Sequence, residues 1–185
     1  HSRSTEKRYS NMDMISDKIL PEVKIITPFT FEDHRGTYTE TYHEDDYIEH
    51  TGIRFIQDDY SYSRKHTLRG IHGDSDTWKL VQCMLGEIYI VVVDMEPESP
   101  TYLQHTSHNI TFRNKKQVLI PPRHGNGHLC LSEHCIFAYK QSEYYRGADK
   151  QFTLKWNDPN LNIWWPISDP ILSERDSNAT HFGTL

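Results

Sequence analysis

A single histidine follows an arginine–glycine pair in residues 67–74, and a lysine comes seven residues later. An imidazole is well suited to take a proton from carbon near neutral pH. A nearby ammonium group can stabilise the enolate oxygen that forms when the proton leaves a carbon next to a carbonyl group. His72 and Lys79 therefore predict general-base chemistry on a carbonyl compound, although an ordinary loop histidine near a surface lysine fits the spacing equally well.

A metal site is the first alternative for this segment. Metal-binding cupins place a His-x-His pair, a glutamate and a glycine at this spacing and bind a divalent ion with imidazoles and a carboxylate. The comparable positions here are His72, Asp74, Lys79 and Gly86. Because Lys79 would repel a cation, we predict a site without metal or cofactor, in which this lysine holds the oxyanion. His124 and His128 are weak metal ligands in a glycine-rich loop, and we predict roles in loop structure or substrate hydrogen bonding.

Composition limits the remaining classes. The 185 residues suffice for one domain with a core, and the net charge of -6 argues against general nucleic-acid binding. No stretch approaches the ~18 apolar residues of a membrane span, and the N-terminus lacks the apolar core of a signal peptide. Cys83, Cys130 and Cys135 are odd in number and form no C-x-x-C pair. They predict reduced thiols and a cytoplasmic location.

Short alternating or apolar runs separated by turn residues predict an all-β sandwich or barrel. We expect strands at residues 23–28, 37–42, 55–63, 79–85, 88–94, 102–112 and 117–120, and an antiparallel pair at 129–131 and 135–141. We expect short helices at 44–50 and after Ser173 as an N-cap, a turn at 31–36 and a glycine-rich loop at 123–128. Residues 88–94 are too apolar for an exposed strand, which predicts burial on both faces.

We divide the chain into a lead-in at residues 1–22, a domain at 23–176 and a tail at 177–185. The first four residues of the lead-in are left out of the fold argument as a candidate tag remnant. Residues 12–20 are expected to be helical or irregular. The tail is polar, and we expect it to fray.

A series of ordered landmarks runs through residues 23–176. They are Phe31, Asp33, Arg35, Gly36, Gln57, Asp58, Ser61, Ser63, Tyr139, Lys140, Tyr144 and Tyr145, with residues 68–72, 79–81, 86–87, 93–94, 99–101, 120–121, 131–133, 156–158 and 172–176. Together they resemble the RmlC-type sugar-nucleotide 3,5-epimerases, the dTDP-4-dehydrorhamnose 3,5-epimerase family. The resemblance implies a metal-free β-jelly-roll cupin that acts on a nucleotide-diphosphate 4-keto sugar as a homodimer.

The resemblance also implies catalytic roles. His72 corresponds to the base that removes the proton beside the 4-keto group, and Asp176 to the carboxylate that orients its imidazole. Lys79 corresponds to the lysine that steadies the enolate oxygen. Tyr139 corresponds to the acid that returns a proton from the opposite face, which inversion requires.

Substrate contacts are implied in the same way. Arg69 and Arg35 correspond to pyrophosphate or nucleotide contacts, because guanidinium groups suit phosphate. The Arg-Gly segment is expected to reach the neighbouring subunit's site through exchanged N-terminal strands, with Tyr38 and Glu40 near the nucleotide base. The further expected substrate-binding residues are Gln57, Asp74, Asn126 and His128.

Two departures from the family pattern border the expected pocket. The usual His-[Phe/Tyr]-Gln is replaced at residues 72–74 by His-Gly-Asp, and the usual Gly-Phe-Ala-His-Gly-Phe at 123–128 by Arg-His-Gly-Asn-Gly-His. Asn126 thus replaces a histidine and His128 an aromatic residue. The departures resemble a branch that acts on GDP-linked 4-keto heptoses or 6-deoxyheptoses for capsule or lipopolysaccharide, which is our predicted substrate class.

Four alternatives stay open. The substrate can be dTDP-4-dehydrorhamnose, or the enzyme a ketoisomerase that moves the proton differently. From other classes, the chain can be a catalytically silent sugar-nucleotide-binding cupin or a metal-dependent cupin oxygenase or isomerase. The number of inverted carbons is not predicted.

Overall fold

The computed structural model describes residues 12–180, which form a nearly all-β domain. The helices are α1 (Glu44–Thr51) and α2 (Glu174–Ser177), with a 3-10 turn at Ala148–Lys150. The strands are β1 (Asp13–Ser16), β2 (Lys24–Thr27), β3 (Thr30–Asp33), β4 (Gly36–Thr39), β5 (Gln57–Arg64), β6 (Leu68–Gly73), β7 (Lys79–Leu85), β8 (Glu87–Asp94), β9 (His105–Thr111), β10 (Gln117–Ile120), β11 (His124–Cys130), β12 (His134–Gln141) and β13 (Phe152–Thr153).

Two antiparallel sheets face each other. The six-stranded sheet has the order β1-β2-β10-β7-β12-β5, and the five-stranded sheet has the order β13-β6-β11-β8-β9. Strands β3 and β4 form a separate hairpin. Consecutive strands such as β7 and β8 lie in different sheets, as a jelly roll requires. The predicted all-β barrel is therefore confirmed.

Alternation along the strands produces a core between the sheets and one outside each sheet. In β8, Ile88, Ile90 and Val92 pack into the core between the sheets, whereas Tyr89 and Val91 pack outside the five-stranded sheet. This confirms the predicted burial of that strand on both faces. The outer core of the five-stranded sheet lies between that sheet and the segment that follows β13. On the other sheet, α1 packs over the outer face in the same way.

Four local predictions were wrong. Residues 123–128 are not a loop, because β11 runs through them with every residue buried. The expected pair of 129–131 with 135–141 is absent, since β11 and β12 lie in different sheets. Residues 13–16 of the lead-in, expected to be helical or irregular, are a strand paired with β2. Residues 31–33 of the expected turn belong to strand β3.

Several remaining features agree with the sequence or stay open. The short helix at Glu44–Thr51 and the Ser173 cap of α2 are confirmed. The three cysteines are buried free thiols. Within the part of the chain that the structure describes, no helix is long and apolar enough to cross a membrane. The domain limits and the cytoplasmic location stay predictions, and residues 1–11 of the lead-in and 181–185 of the tail lie outside the described residues.

Candidate active site

A cavity of about 600 Å³ opens at one end of the barrel, between the two sheets. Its walls come from both sheets and from the C-terminal segment around α2. Seven of the residues predicted for the site or its immediate surroundings line it, namely Arg69, His72, Lys79, Asn126, His128, Tyr139 and Asp176. The fold thus brings together side chains that are up to 107 positions apart, from 69 to 176.

His72 and Asp176 form a hydrogen-bonded dyad at the cavity. The Nε2 atom of His72 lies 2.5 Å from Oδ1 of Asp176. The Asp176 side chain is only 3% exposed, whereas that of His72 is 24% exposed. Since Asp176 holds Nε2, the other ring nitrogen, Nδ1, is the one left to act as a base.

Local structure fixes the Asp176 carboxylate. The Ser173 hydroxyl caps α2 by accepting a hydrogen bond from the Asp176 N–H, and the Gly70 N–H donates to Asp176 Oδ2 at 3.1 Å. Burial raises the pKa of this carboxyl group, but the bonds from His72, Gly70 and Ser173 outweigh it and leave the pKa below its usual value. Asp176 is therefore an ionised carboxylate able to stabilise an imidazolium ion.

Lys79 at the start of β7 is the cation inside the cavity wall. It is 8% exposed, and its Nζ donates to Asn126 Oδ1 at 3.4 Å. Burial lowers the pKa of Lys79, the Asp74 carboxylate opposes this, and the Arg175 cation adds to it. An ammonium group with a lowered pKa is a stronger hydrogen-bond donor toward a developing oxyanion.

Tyr139 on β12 supplies a hydroxyl group to the same cavity. Burial raises its pKa, the charges of Asp59 and Tyr145 raise it further, and Arg69 opposes them. The phenol therefore keeps its proton at neutral pH and can act as an acid. Its neighbour Phe137 lies 5.4 Å away, ring centroid to ring centroid, and lines the same wall.

Arg69 provides positive charge at the cavity and is itself held in place. Its Nε donates to the Ser63 hydroxyl at 2.9 Å, which orients the guanidinium group. Arg175 also lines the cavity and donates to Thr153 Oγ1 at 2.9 Å. Two oriented guanidinium groups suit an anionic ligand such as a diphosphate.

Five predicted substrate contacts do not line this cavity. Arg35 and Tyr38 lie on the β3–β4 hairpin, where Arg35 pairs with Asp33, and Glu40 follows that hairpin. Gln57 donates to Asp59 and accepts from the Tyr145 N–H. Asp74 accepts hydrogen bonds from the Thr77 N–H and hydroxyl, so it stabilises the turn before β7.

Sequence reasoning assigned no role in the site to several residues that line the cavity. Phe137, Gln141, Gln151 and Ile171 were not singled out at all, and others were named only as family landmarks or as a helix cap, namely Ser61, Tyr145, Arg175 and residues 172–173. Phe137, Tyr139 and Gln141 alternate along β12, so the period of two around Tyr139 was the signal that could have identified the first and third of them. Gln151 and Arg175 depend on how the C-terminal segment folds over the barrel, which no local pattern reveals.

The described residues offer no alternative metal centre. Within 12–180, no group of three or more His, Cys, Asp and Glu side chains is arranged to hold a metal ion. His124 is held by the Pro122 carbonyl and lies 3.8 Å from Asp94. It therefore has a structural role in β11 and does not line the cavity.

Comparisons with known proteins agree on one family. Residues 17–183 match the family model of dTDP-4-dehydrorhamnose 3,5-epimerase. The chain is 37% identical to the enzyme of that name from Salmonella typhimurium, over 91% of this chain and 94% of the relative.

Solved structures give the same result. The chain resembles dTDP-6-deoxy-D-glucose-3,5-epimerase RmlC from Legionella pneumophila, solved in complex with dTDP-4-keto-L-rhamnose, with a TM-score of 0.87, 36% identity and coverage of 92% of this chain and 93% of that one. It also resembles dTDP-4-dehydrorhamnose 3,5-epimerase from Bacillus anthracis, solved with TDP and PPi bound, with a TM-score of 0.86, 36% identity and coverage of 92% and 99%. These matches confirm the RmlC-type jelly roll.

Proposed function

The chain belongs to the dTDP-4-dehydrorhamnose 3,5-epimerase family and is an isomerase of nucleotide sugars, and we propose that its substrate is a dTDP-linked 4-keto-6-deoxy sugar. The observation that carries the proposal is the His72–Asp176 dyad, at 2.5 Å, in one cavity with Lys79 and Tyr139. A base, an oxyanion donor and an acid are the three groups that epimerisation beside a ketone needs.

The reaction begins with proton abstraction. Nδ1 of His72 takes the proton from the carbon beside the 4-keto group, and the carbon–hydrogen electron pair moves into the enolate. Asp176 stabilises the imidazolium ion that results, as a buried carboxylate does for a catalytic histidine. Lys79 donates a hydrogen bond to the enolate oxygen.

Inversion requires a second proton from the other side of the sugar ring. The Tyr139 hydroxyl donates this proton to the same carbon, and the carbonyl group forms again as the enolate collapses. The phenolate and the imidazolium ion then return to their starting states by exchange with water. Solvent hydrogen is therefore incorporated at each inverted carbon, and deuterium from heavy water would label that carbon.

The relatives favour dTDP over our predicted GDP-linked heptose. The three reported relatives carry dTDP sugars in their names, and nothing among them supports a GDP branch. The departures that suggested GDP also have local roles, since Asp74 stabilises a turn and Asn126 accepts a hydrogen bond from Lys79. The GDP-linked sugar, with its link to capsule or lipopolysaccharide, is therefore the second arm of the test.

The deciding experiment is proton NMR of the enzyme in heavy water with two substrates supplied separately. We expect deuterium at carbon 3, carbon 5 or both of dTDP-4-keto-6-deoxyglucose, and much slower incorporation into a GDP-linked 4-keto-6-deoxyheptose. His72→Asn should abolish incorporation while TDP still binds. Faster reaction of the GDP sugar would reverse the nucleotide assignment, and no incorporation into either sugar, with TDP bound, would favour a silent sugar-nucleotide-binding cupin.

A homodimer is the second part of the proposal. The β3–β4 hairpin pairs with neither sheet of its own chain, and it exposes Phe31 and Tyr38, at 50% and 69%. Arg35 at its turn lies outside the cavity that it was predicted to serve. These observations support an arrangement in which each hairpin reaches the partner's site and brings Arg35, Tyr38 and Glu40 to the nucleotide.

Mixed dimers test this arrangement. Arg35→Ala and His72→Ala subunits should each be nearly inactive alone, but mixing them by unfolding and refolding should restore about a quarter of wild-type activity, because half of the dimers then hold one intact site. The control mixes Arg35→Ala subunits with subunits that carry both Arg35→Ala and His72→Ala, because no dimer in that mixture contains a complete site. Activity that stays absent in the first mixture, with dimers present, would place Arg35 in its own subunit's site. Full activity of Arg35→Ala alone would place Arg35 outside either site.

A further inference from the structure

His128 is a buried polar side chain that the proposed chemistry does not use. It is 3% exposed and lies on β11, one inward-facing position beyond Asn126. Its ring stacks on Phe137 with centroids 3.9 Å apart and an angle of 15° between the planes. Both rings line the same cavity as His72 and Lys79.

The imidazole of His128 is unsatisfied. Its Nε2 is buried and has no hydrogen-bond partner within residues 12–180. Burial lowers its pKa, and electrostatic interactions with Arg69 and His72 lower it further, to about 3, so the ring is neutral at physiological pH. A neutral imidazole carries one donor and one acceptor, and leaving such a group unpaired in the interior costs free energy.

Packing alone does not account for a histidine here. A phenylalanine would keep the stack on Phe137 without burying an unpaired nitrogen, and the family pattern has an aromatic residue at this position. A half-turn of the imidazole about its Cβ–Cγ bond also preserves the stack while it exchanges the two edges of the ring. The ring can therefore present a nitrogen to a ligand without losing its contact with Phe137.

The position of His128 indicates which part of the sugar it meets. Lys79, the proposed oxyanion donor, hydrogen-bonds to Asn126, so the 4-keto oxygen lies at that level of the barrel. The diphosphate is attached to carbon 1, across the sugar ring from carbon 4, and Arg69, the predicted diphosphate contact, is the register partner of His128. His128 therefore lies between the level of Asn126 and that of the diphosphate, along the ring edge that carries the hydroxyl on carbon 3.

We propose that His128 is a specificity-determining residue that pairs with the hydroxyl group on carbon 3, next to the 4-keto carbon. The proposal rests on the proposed function, because it takes the enolate oxygen to lie at Lys79. The hydroxyl group satisfies the buried imidazole, and a sugar without it leaves both partners unpaired. Discrimination of this kind exceeds that of an apolar pocket, which distinguishes such groups weakly.

Three dTDP-linked 4-keto sugars test the proposal: the 6-deoxyglucose derivative, its 3,6-dideoxy analogue and the 4-ketoglucose that keeps the hydroxyl on carbon 6. The measurement is kcat/KM for deuterium incorporation at carbon 5, which all three share. In the wild type, we expect the 6-deoxyglucose derivative to react at least ~10-fold faster than its 3,6-dideoxy analogue, which lacks the hydroxyl on carbon 3. The 4-ketoglucose is the control, because its ratio to the 6-deoxyglucose derivative should be the same in the wild type and in a His128 variant.

His128→Phe is the variant that decides, because it keeps the stack and removes the nitrogens. It should reduce the wild-type ratio to within about threefold. His128→Asn, which keeps a donor and an acceptor, should retain part of the ratio, and it replaces the first variant if that one does not fold. Equal ratios in the wild type and in these variants would overturn the role of His128. Absence of incorporation into every sugar by the wild type would instead contradict the proposed function itself.

Discussion

Because Asp176 pairs with His72, the negative charge of the Asp176 carboxylate should matter more for the reaction rate than its shape. We predict that Asp176→Asn lowers the rate of deuterium incorporation by about 10²-fold or more, because the amide no longer stabilises the imidazolium ion and no longer selects its tautomer. The amide oxygen can still accept from the Gly70 N–H, so the fold should survive. Steady-state rates and thermal unfolding would be measured together.

Glu174→Gln is the matched control for that prediction. Glu174 is an exposed carboxylate on the same short helix, so its change to an amide should leave the rate unchanged. Equal activity of Asp176→Asn and the wild type would remove Asp176 from the mechanism and leave it as a buried structural anion.

Replacing Tyr139 should separate two steps of the reaction, the abstraction of the proton and its return from the other face. We predict that Tyr139→Phe still incorporates deuterium at carbon 3 but inverts the sugar at least ~10²-fold more slowly, since His72 can return the label only to the face from which it took the proton. NMR distinguishes labelled substrate from labelled epimer. Tyr62→Phe, on the exposed neighbouring strand, should behave as wild type. Normal inversion by Tyr139→Phe would assign the acid to another group.

Much of this site was predictable at the scale of single residues, because imidazole, ammonium, phenol and carboxylate groups each suit one step of the chemistry. His72 and Lys79 could be proposed from chemistry and spacing, although an ordinary loop histidine fitted the spacing equally well. Asp176 and Tyr139 could not, because their pairing with His72 and the cavity depends on contacts between distant parts of the chain. For them the family resemblance was needed, and the 2.5 Å contact between His72 and Asp176 agrees with it.

At the scale of elements, close approach of β6 to β11 brings His72 and Asn126 side by side. Gly70 has φ +132°, and a Cβ atom there would lie 2.5 Å from the Gly127 Cα. Gly36 has a similar φ of +128° but open space around it. An alanine at either position would therefore suffer the same backbone strain, but only an alanine at Gly70 would also clash with β11.

We predict that Gly70→Ala destabilises the protein by at least ~2 kcal/mol more than Gly36→Ala, because overpacking against backbone adds to the shared strain. Urea unfolding of both variants, followed by circular dichroism, measures the difference. Deuterium incorporation by Gly70→Ala should also fall, since the Gly70 N–H positions Asp176. Equal destabilisation by both substitutions would show that β6 and β11 can separate at little cost.

The same close approach explains why β11 was predicted as a loop. Glycine normally indicates a turn, but in β11 Gly125 and Gly127 alternate with His124, Asn126 and His128. A Cβ atom on Gly125 would lie 2.6 Å from the Ile71 side chain, so glycine is required by packing and not by chain reversal. The alternation expected of a strand was therefore present in the sequence. The prediction gave more weight to glycine as a turn residue.

At the scale of the whole molecule, the number and type of elements followed from hydrophobic patterning, whereas the sheet order did not. Residues 129–131 and 135–141 are close in sequence and were expected to pair, as neighbouring strands often do. In the jelly roll they belong to opposite sheets, and the barrel interior lies between them. That crossing brings His128 of β11 onto Phe137 of β12 and so places a histidine in the core.

A histidine buried in this way links the stability of the whole domain to pH. In the unfolded chain His128 takes up a proton below about pH 6.5, whereas burial, with Arg69 and His72, keeps its pKa at about 3 in the folded protein. The unfolded state therefore binds more protons between these pH values. The free energy of unfolding should fall as the pH falls through this window, by up to about 1.4 kcal/mol per pH unit from this group alone.

We predict that His128→Phe flattens the dependence of stability on pH between pH 6.5 and about 4, and that the variant is the more stable protein at the acidic end, because phenylalanine binds no proton in either state. Urea unfolding at one-unit pH intervals measures the slope. His134→Phe is the matched control, since His134 is exposed and stacks on Tyr62 at 5.2 Å, so the same substitution should leave the slope as in the wild type. Parallel curves for His128→Phe and the wild type would mean that the folded protein accepts a proton at His128, and the barrel interior would then be wetter than the packing between β11 and β12 indicates.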